Sequence, residues 1–332
     1  MNSFKMPKMT QNYEGNIRKV GFEIEFSNMR MKRVVSLLKK TYNLKENRVN
    51  NFLYTFDSEF GKFVAELDFE LLTKQKLKSN VVDFFDKIGM QIDESKVEKV
   101  EDMIGSISKD LVPYEISTPP IPLDKISMIN DLSDSLYKVG AEGTRKKVYN
   151  AFGLHINIEV VSLDVQSLLD YLRAYVILES FLVKDAKIDI TRKITPYIDK
   201  FKDDYIMKIL SENYNPTLDE FIDDYIKYNP TRNRSLDMLP IFAFIDETKV
   251  RKSLKKQKIN PRPAFHYRLS NSLVGEEDWK ISDEWNRWLY VERVANDKKL
   301  LSKLSKKYLF HLEKFVNFTA WEEKVSKCVK SQ

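Results

Sequence analysis

Three short segments alternate apolar and polar residues, and this pattern constrains the fold more than any other feature. Residues 20–26 (VGFEIEF), 152–160 (FGLHINIEV) and 265–269 (FHYRL) place an apolar side chain at every second position. A period of two is typical of a β-strand with one buried face, as in antiparallel sheets. Helical patterns at 163–184 and 217–228 supply apolar faces to cover such a sheet. We therefore predict an α+β fold with an antiparallel sheet and helices packed on its outer face.

The remaining predicted elements rest on capping residues and on shorter apolar patterns. Ser162 is the predicted N-cap of the helix over 163–184, and Thr217 with Glu220 forms a capping box. Further helices are predicted at 282–296 and 300–320, and further strands at 62–68 and 113–117.

The polar positions of these strands carry side chains suited to metal or phosphate binding. Glu23 and Glu25 share one strand face, about 7 Å apart at roughly 3.3 Å rise per residue. Hard divalent cations prefer such carboxylate oxygens. An E-x-E pattern alone more often marks a solvated strand face, so the hypothesis depends on the whole set. That set is Glu23, Glu25, Asp68, Glu115, His155, Asn157, His266 and Arg268.

The scarcity of two residue types restricts the chemistry. The chain has 9 Gly and 3 His among 332 residues, and neither a GxGxxG nor a GxxxxGK[ST] pattern occurs. Glycine loops that cradle phosphates are therefore not expected, and a multi-histidine metal centre is nearly excluded. The chemistry must rest mainly on carboxylates and basic side chains.

Charge, cysteine content and hydropathy indicate the setting of the protein. A net charge of +6 is a mild excess that suits small anionic ligands such as nucleotides, and we do not expect nucleic acid as a partner. The single cysteine, Cys328, cannot form an internal disulfide, which fits a reducing compartment. The first 18 residues carry no apolar leader, and no apolar run is long enough to span a bilayer. We predict a cytoplasmic protein without a membrane interaction.

Five motifs in order resemble one enzyme family. Residues 21–26 (GFEIEF), 114–120 (YEISTPP) and 153–157 (GLHIN) are similar to the G-x-E-x-E, E-x-S-P-P-like and G-L-H-x-[HN] strands of the amidoligases. That family is related to glutamine synthetase and glutamate–cysteine ligase. Residues 232–238 (RNRSLDM) and 265–268 (FHYR) resemble its Arg-containing segment and its E-x-R strand. The resemblance spans residues ~20 to ~295.

The resemblance implies a fold and a reaction. The antiparallel sheet would curve into a half-barrel whose concave face holds ATP and Mg²⁺, with Mn²⁺ as the alternative. The reaction would join a carboxylate to an amine through an acyl phosphate. It implies an N-terminal arm over 1–18, a catalytic domain over 19–300 with a helical insertion at about 71–109, and a C-terminal helix and tail over 301–332.

The resemblance also implies a role for each site residue. The metal ligands would be Glu23, Glu25, Glu115 and His155, with Asn157 supporting the nucleotide site. Arg268 would contact phosphate and stabilise the transferring phosphoryl group, and Arg232 or Arg234 would bind phosphate or the acidic substrate. The catalytic residues would therefore be Arg268, Arg232 and His155.

The chain departs from the family pattern at two places. His266 stands where the E-x-R motif has a carboxylate, and as a nitrogen ligand it would suit Mn²⁺ better than Mg²⁺. Asp68 stands where the family has D-G-S, but the glycine is absent. The first departure leaves open whether the site is fully active.

Two other functions remain open at this point. The same fold could transfer phosphoryl groups to another acceptor, or a degenerate site could bind a nucleotide, peptide or nucleic acid without turnover. For the ligase, the expected partners are a small-molecule or peptide carboxylate and an amine. The resemblance also implies a glutamine amidotransferase-type protein as a partner.

Overall fold

The computed structural model describes residues 3–68, 112–146, 152–188, 199–255, 257–313 and 318–330. Within them the chain is a mixed α+β protein with one open antiparallel sheet, which confirms that part of the predicted fold class. The predicted insertion at 71–109 lies outside the described residues. None of the described helices is both long and apolar enough to cross a bilayer.

The strands lie in one sheet in the order β2-β3-β4-β5-β1-β7-β9-β8, and β6 pairs with β1. Numbered β1 to β9, they are Lys19–Phe26, Lys45–Asn50, Leu53–Ser58, Gly61–Leu67, Tyr114–Ser117, Ile121–Pro122, Gly153–Glu159, Leu236–Asp237 and Ala264–Asn271. The strands predicted from alternation are confirmed as β1, β7 and β9, and the two shorter ones as β4 and β5.

Most of the helices lie in the second half of the chain. Numbered α1 to α10, they are Met31–Tyr42, Ile129–Lys138, Val165–Asp185, Asp203–Leu210, Leu218–Tyr228, Leu239–Ile245, Glu247–Ser253, Ile281–Asn296, Lys298–Glu313 and Phe318–Lys330. Two 3₁₀ turns cover Leu123–Met128 and Thr144–Lys146.

One predicted helix boundary needs correction and another is confirmed. The N-cap of α3 is Asp164, whose carboxylate accepts a hydrogen bond from the Ser167 amide at 2.8 Å, so Ser162 is not the cap. The Thr217 capping box at the start of α5 is present with both reciprocal hydrogen bonds. Of the helix predicted over 300–320, residues 300–313 lie in α9 and residues 318–320 in α10, and residues 314–317 lie outside the described residues.

The chain divides into two compact units, and neither is continuous in sequence. The strand-rich unit comprises Gly21–His155 and Asn271–Ile281, and the helical unit comprises Met1–Val20, Ile156–Ser270 and Ser282–Gln332.

In the strand-rich unit, α1 packs on the apolar face of the sheet, where Tyr42 stacks on Phe63 of β4 with ring centroids 5.0 Å apart. Backbone hydrogen bonds join the C-terminal segment of this unit, Asn271–Ile281, to its earlier part. The amide of Gly143 donates to the carbonyl of Val274 at 2.7 Å, and that of Thr144 donates to Ser272 at 2.9 Å. A Cβ atom at Gly143 would lie 2.3 Å from the Ser272 oxygen, so glycine is required there.

The helical unit is built around α3, against which α9 and α10 pack. Its core is aromatic, with Tyr171 stacked on Phe265 at 4.9 Å and close to Trp288. A buried ion pair lies beside this core, in which Arg18 makes two hydrogen bonds to the Glu292 carboxylate, the shorter at 2.6 Å. Such a pair orders a core but is costly to break.

Candidate metal centre

A row of three glutamates crosses the middle of the strand-rich unit. In the antiparallel register Glu25 of β1 lies opposite Glu115 of β5, and Glu115 lies opposite Glu66 of β4. Residues directly opposite one another project from the same face of a sheet. The three carboxylates therefore line one face, while Phe22, Ile24 and their neighbours fill the other.

Asp68 adds a fourth carboxylate to this row. It follows β4 directly, and its amide donates to the Pro113 carbonyl at 3.0 Å, which fixes its position beside β5. Each of Glu25, Asp68 and Glu115 offers an oxygen atom, and these atoms lie within 4.8 Å of one another. An all-oxygen donor set at this spacing fits Mg²⁺ or Mn²⁺ better than softer metals.

His155 of β7 joins the E-x-E pair. Its Nδ1 lies 2.9 Å from Glu23 Oε2, and its Nε2 lies 3.6 Å from Glu25 Oε1. The other Glu25 oxygen accepts a hydrogen bond from the Gly153 amide at 2.6 Å. The structure thus brings together the predicted ligands Glu23, Glu25 and His155, and holds Glu25 in a fixed orientation.

The electrostatics of the row show how closely the charges are packed. Burial raises the pKa of Glu115 well above its ordinary value, and the charges of Glu23, Asp68 and Glu25 raise it further. A hydrogen bond from the Ser117 hydroxyl at 2.7 Å acts in the opposite direction. A cation would replace this repulsion by attraction, which is the condition that favours a metal.

The remaining predicted residues lie in the helical unit. Asn157 of β7 is half-buried, and its Oδ1 accepts hydrogen bonds from Arg262 Nε at 3.1 Å and Nη2 at 2.6 Å. Arg268 of β9 is also half-buried; its Nη1 donates to the carbonyl of Arg232 at 3.4 Å. The side chain of Arg268 thus contacts the backbone of Arg232.

His266 has a carboxylate neighbour that the sequence did not indicate. Asp237 of β8 lies directly opposite His266 of β9, and its Oδ2 is 3.5 Å from His266 Nδ1. Both side chains are almost fully buried. The E-x-R departure at His266 is thus accompanied by a carboxylate from the neighbouring strand.

Arg234 is engaged differently from Arg232. Its side chain is buried, its Nε donates to Asn229 Oδ1 at 2.8 Å, and its two terminal nitrogens donate to the carbonyls of Lys200 and Tyr228. Its guanidinium also lies 5.5 Å from the Phe201 ring centroid. These contacts stabilise the surrounding loops, and of the two arginines Arg232 is the more exposed.

Sequence reasoning missed Glu66, Arg262 and Asp237, and it left Asp68 outside the predicted ligand set. Glu66 sits at an alternating position of β4, so its face was readable, but its register against β5 was not. Arg262 lies in an Asn-Pro-Arg-Pro segment, a composition that is typical of a turn or an extended linker. Asp237 belongs to a two-residue strand, which is too short to show a period.

A family model described as "Putative amidoligase enzyme" matches residues 16–290, a span that includes every residue of the candidate metal centre. No curated protein and no solved structure matches the chain. The match confirms the resemblance drawn from the five motifs.

Proposed function

The chain belongs to this amidoligase family, and from that premise we propose that it is an ATP- and Mg²⁺-dependent ligase that joins a carboxylate to an amine. The observation that carries the proposal is the carboxylate cluster of Glu25, Asp68 and Glu115. The family name indicates ligase activity, and an oxygen-rich cation site is the part that ATP-dependent bond formation requires of the protein.

The proposed metal ligands are Glu23, Glu25, Glu115 and His155, joined by Asp68. A divalent cation held by these residues would offset negative charge during phosphoryl transfer. Glu25 is oriented for this role by the Gly153 amide, and His155 by its contact with Glu23. Such fixed contacts avoid reorganisation when the ligand binds.

The reaction requires no protein nucleophile. A carboxylate oxygen of the substrate attacks the γ-phosphorus of ATP and releases ADP, which gives an acyl phosphate. The amine nitrogen then attacks the carbonyl carbon, phosphate leaves, and the nitrogen loses a proton. The chain binds and orients the reactants, with phosphate contacts assigned by family resemblance to Arg268 and Arg232 and support from Asn157.

The finer fold assignment belongs to the same proposal. Family membership supports a half-barrel of the glutamine synthetase and glutamate–cysteine ligase type. The open antiparallel sheet is compatible with it, since a row of carboxylates on one face is how such a sheet would present metals. A glutamine amidotransferase-type protein is the proposed source of ammonia, and the cytoplasm is the proposed location.

The decisive experiment is an ADP-release screen with the purified chain. Mg²⁺ or Mn²⁺ is supplied with ATP, and amino acids, peptides and polyamines are tested singly and in pairs. We expect ADP release only when a carboxylate and an amine are both present, with a product whose mass equals their sum less one water. ADP release with a carboxylate alone, and formation of a stable phosphorylated product, would instead identify a phosphotransferase.

Two variants and one control test the metal centre. Glu25→Gln and Glu115→Gln remove one charge each from the cluster, and we expect a loss of at least about 100-fold in kcat/KM. Glu142→Gln is the matched control, because Glu142 is a half-buried glutamate of the same unit that is bonded to Asn28 instead. Unchanged ADP release in the two cluster variants would refute the metal assignment.

A further inference from the structure

One short stretch of the chain carries all of its excess charge. Residues 29–55 contain seven basic residues and one acidic residue, an excess of six, and the net charge of the whole chain is also +6. The other 305 residues are therefore neutral as a group. A net charge that looks mild as an average is in fact concentrated on α1 and the β2–β3 hairpin.

The structure gathers these cations around a groove of about 640 Å³ in the strand-rich unit. On one side α1 presents the exposed Lys32, Lys39 and Lys40 along one helix face. On the other side the hairpin presents the exposed Arg48 and the half-buried Tyr54, which lie directly opposite one another. The volume lies within the range that accommodates a nucleotide-sized ligand.

Most of this positive charge is not balanced locally. Lys39 forms an ion pair with Glu46 at 2.5 Å. Among the residues that the structure describes, no carboxylate lies within ion-pair distance of Lys32, Lys40 or Arg48. Three exposed cations therefore converge on one groove, where their charges repel until an anion binds.

The groove is separate from the candidate metal centre. Cross-strand partners lead from Arg48 to Tyr54, then to Ala65 of β4 and to Ile116 of β5. That row projects from the face covered by α1, whereas Glu66, Glu115 and Glu25 project from the opposite face. A ligand in the groove is consequently not held by the proposed metal ligands.

We propose that this basic groove binds single-stranded nucleic acid. Grooves that bind single strands combine cations for the phosphates with an aromatic ring on which a base can stack, and Tyr54 beside Arg48 supplies that ring. Because β2 is the terminal strand of the described sheet, the groove borders a sheet edge, past which a polymer can extend. An acidic polypeptide would match the cations but has no base to stack on Tyr54.

The salt dependence of binding tests the proposal quantitatively. A labelled oligothymidylate or oligouridylate of about 15 nucleotides is titrated with the full chain by fluorescence anisotropy. Each neutralised phosphate contributes about −0.7 to the slope of log K against log salt on single strands. Three cations predict a slope of about −2, and hence roughly a 20-fold loss of affinity between 50 and 200 mM salt.

Matched triple variants separate the groove from general surface charge. We expect Lys32→Gln/Lys40→Gln/Arg48→Gln to weaken oligonucleotide binding strongly, and any binding that remains should depend far less on salt. The control Lys252→Gln/Lys299→Gln/Lys303→Gln removes three exposed lysines of the helical unit and should leave both unchanged. Equal losses in the two triple variants would overturn the proposal.

Substitution of the aromatic residue distinguishes nucleic acid from an acidic peptide. Tyr54→Leu should weaken oligonucleotide binding at least about fivefold. Tyr54→Phe should bind as tightly as the unmodified chain, because base stacking requires only the ring. A polyglutamate of equal length serves as the competitor. If polyglutamate binds as tightly as the oligonucleotide, or if Tyr54→Leu binds like the unmodified chain, the occupant is not nucleic acid and the proposal fails.

Discussion

Replacing Glu115 by glutamine isolates the effect of one charge within the carboxylate row. Burial raises the pKa of Glu115, and the neighbouring charges of Glu23, Asp68 and Glu25 raise it further. Two ionised carboxylates at 4.8 Å repel one another by roughly 3 kcal/mol at an effective dielectric constant of 20. The folded chain without metal therefore favours a protonated Glu115.

The raised pKa sets the direction of a pH effect on stability. Between the unfolded and folded pKa values of Glu115, the folded protein binds more protons than the unfolded protein. The contribution of Glu115 is fully favourable below the unfolded pKa. It is lost at up to about 1.4 kcal/mol per pH unit as the pH rises toward the folded pKa. Glutamine does not titrate, so Glu115→Gln should lack this loss.

The assay is urea unfolding in EDTA between about pH 5 and pH 8, with the free energy of unfolding of Glu115→Gln subtracted from that of the unmodified chain. Titrating groups remote from the carboxylate row cancel in this difference, which therefore reports the titration of Glu115 together with its neighbours Glu23, Asp68 and Glu25. Ser117→Ala provides a second test, because loss of its hydrogen bond should raise the pKa of Glu115 further and extend the slope to higher pH. A difference that does not vary with pH would refute the reasoning.

Three further predictions concern stability. Gly143→Ala should destabilise the chain by at least about 2 kcal/mol, because its Cβ would lie 2.3 Å from the Ser272 carbonyl oxygen; a shift in the urea midpoint measures this. Glu292→Gln should cost about 3 kcal/mol by leaving the buried Arg18 without its ionic partner, again measured by urea unfolding. Burial raises the pKa of Glu179, so Glu179→Gln should be the more stable form at pH 7, and the difference should vanish as the pH falls to the ordinary glutamate pKa in a thermal melt series.

The part of the site that sequence could predict is the part encoded by strict alternation. Glu23, Glu25 and His155 lie on β1 and β7, where a period of two assigns each side chain to a face without further information. The shorter pattern at 113–117 predicted β5 and so placed Glu115 on a strand. Each of these strands carries buried apolar residues on its other face, which is why the polar side chains could be assigned to a shared face of the sheet.

The sequence alone could not predict the register between strands or the strands that lack an apolar period. The hairpin of Lys45–Asn50 and Leu53–Ser58 was not predicted, because β2 has no buried position and so shows no apolar period. Glu66 joins the carboxylate row only through its register with Glu115, which is a property of the strand pair. The contacts of Arg234 with two carbonyls likewise depend on loops that come together from separate parts of the chain.

The discontinuity of the strand-rich unit bears on how the chain folds during synthesis. Gly143 and Thr144 obtain their hydrogen-bond acceptors from Val274 and Ser272, which the ribosome adds about 130 residues later. The whole middle segment of the helical unit, Ile156–Ser270, is synthesised in between. The carboxylate-bearing strands thus leave the ribosome long before their unit can close. Charged side chains such as Glu23 and Glu25 oppose pairing of an unpaired strand edge with other chains, so we expect them to limit aggregation during that interval.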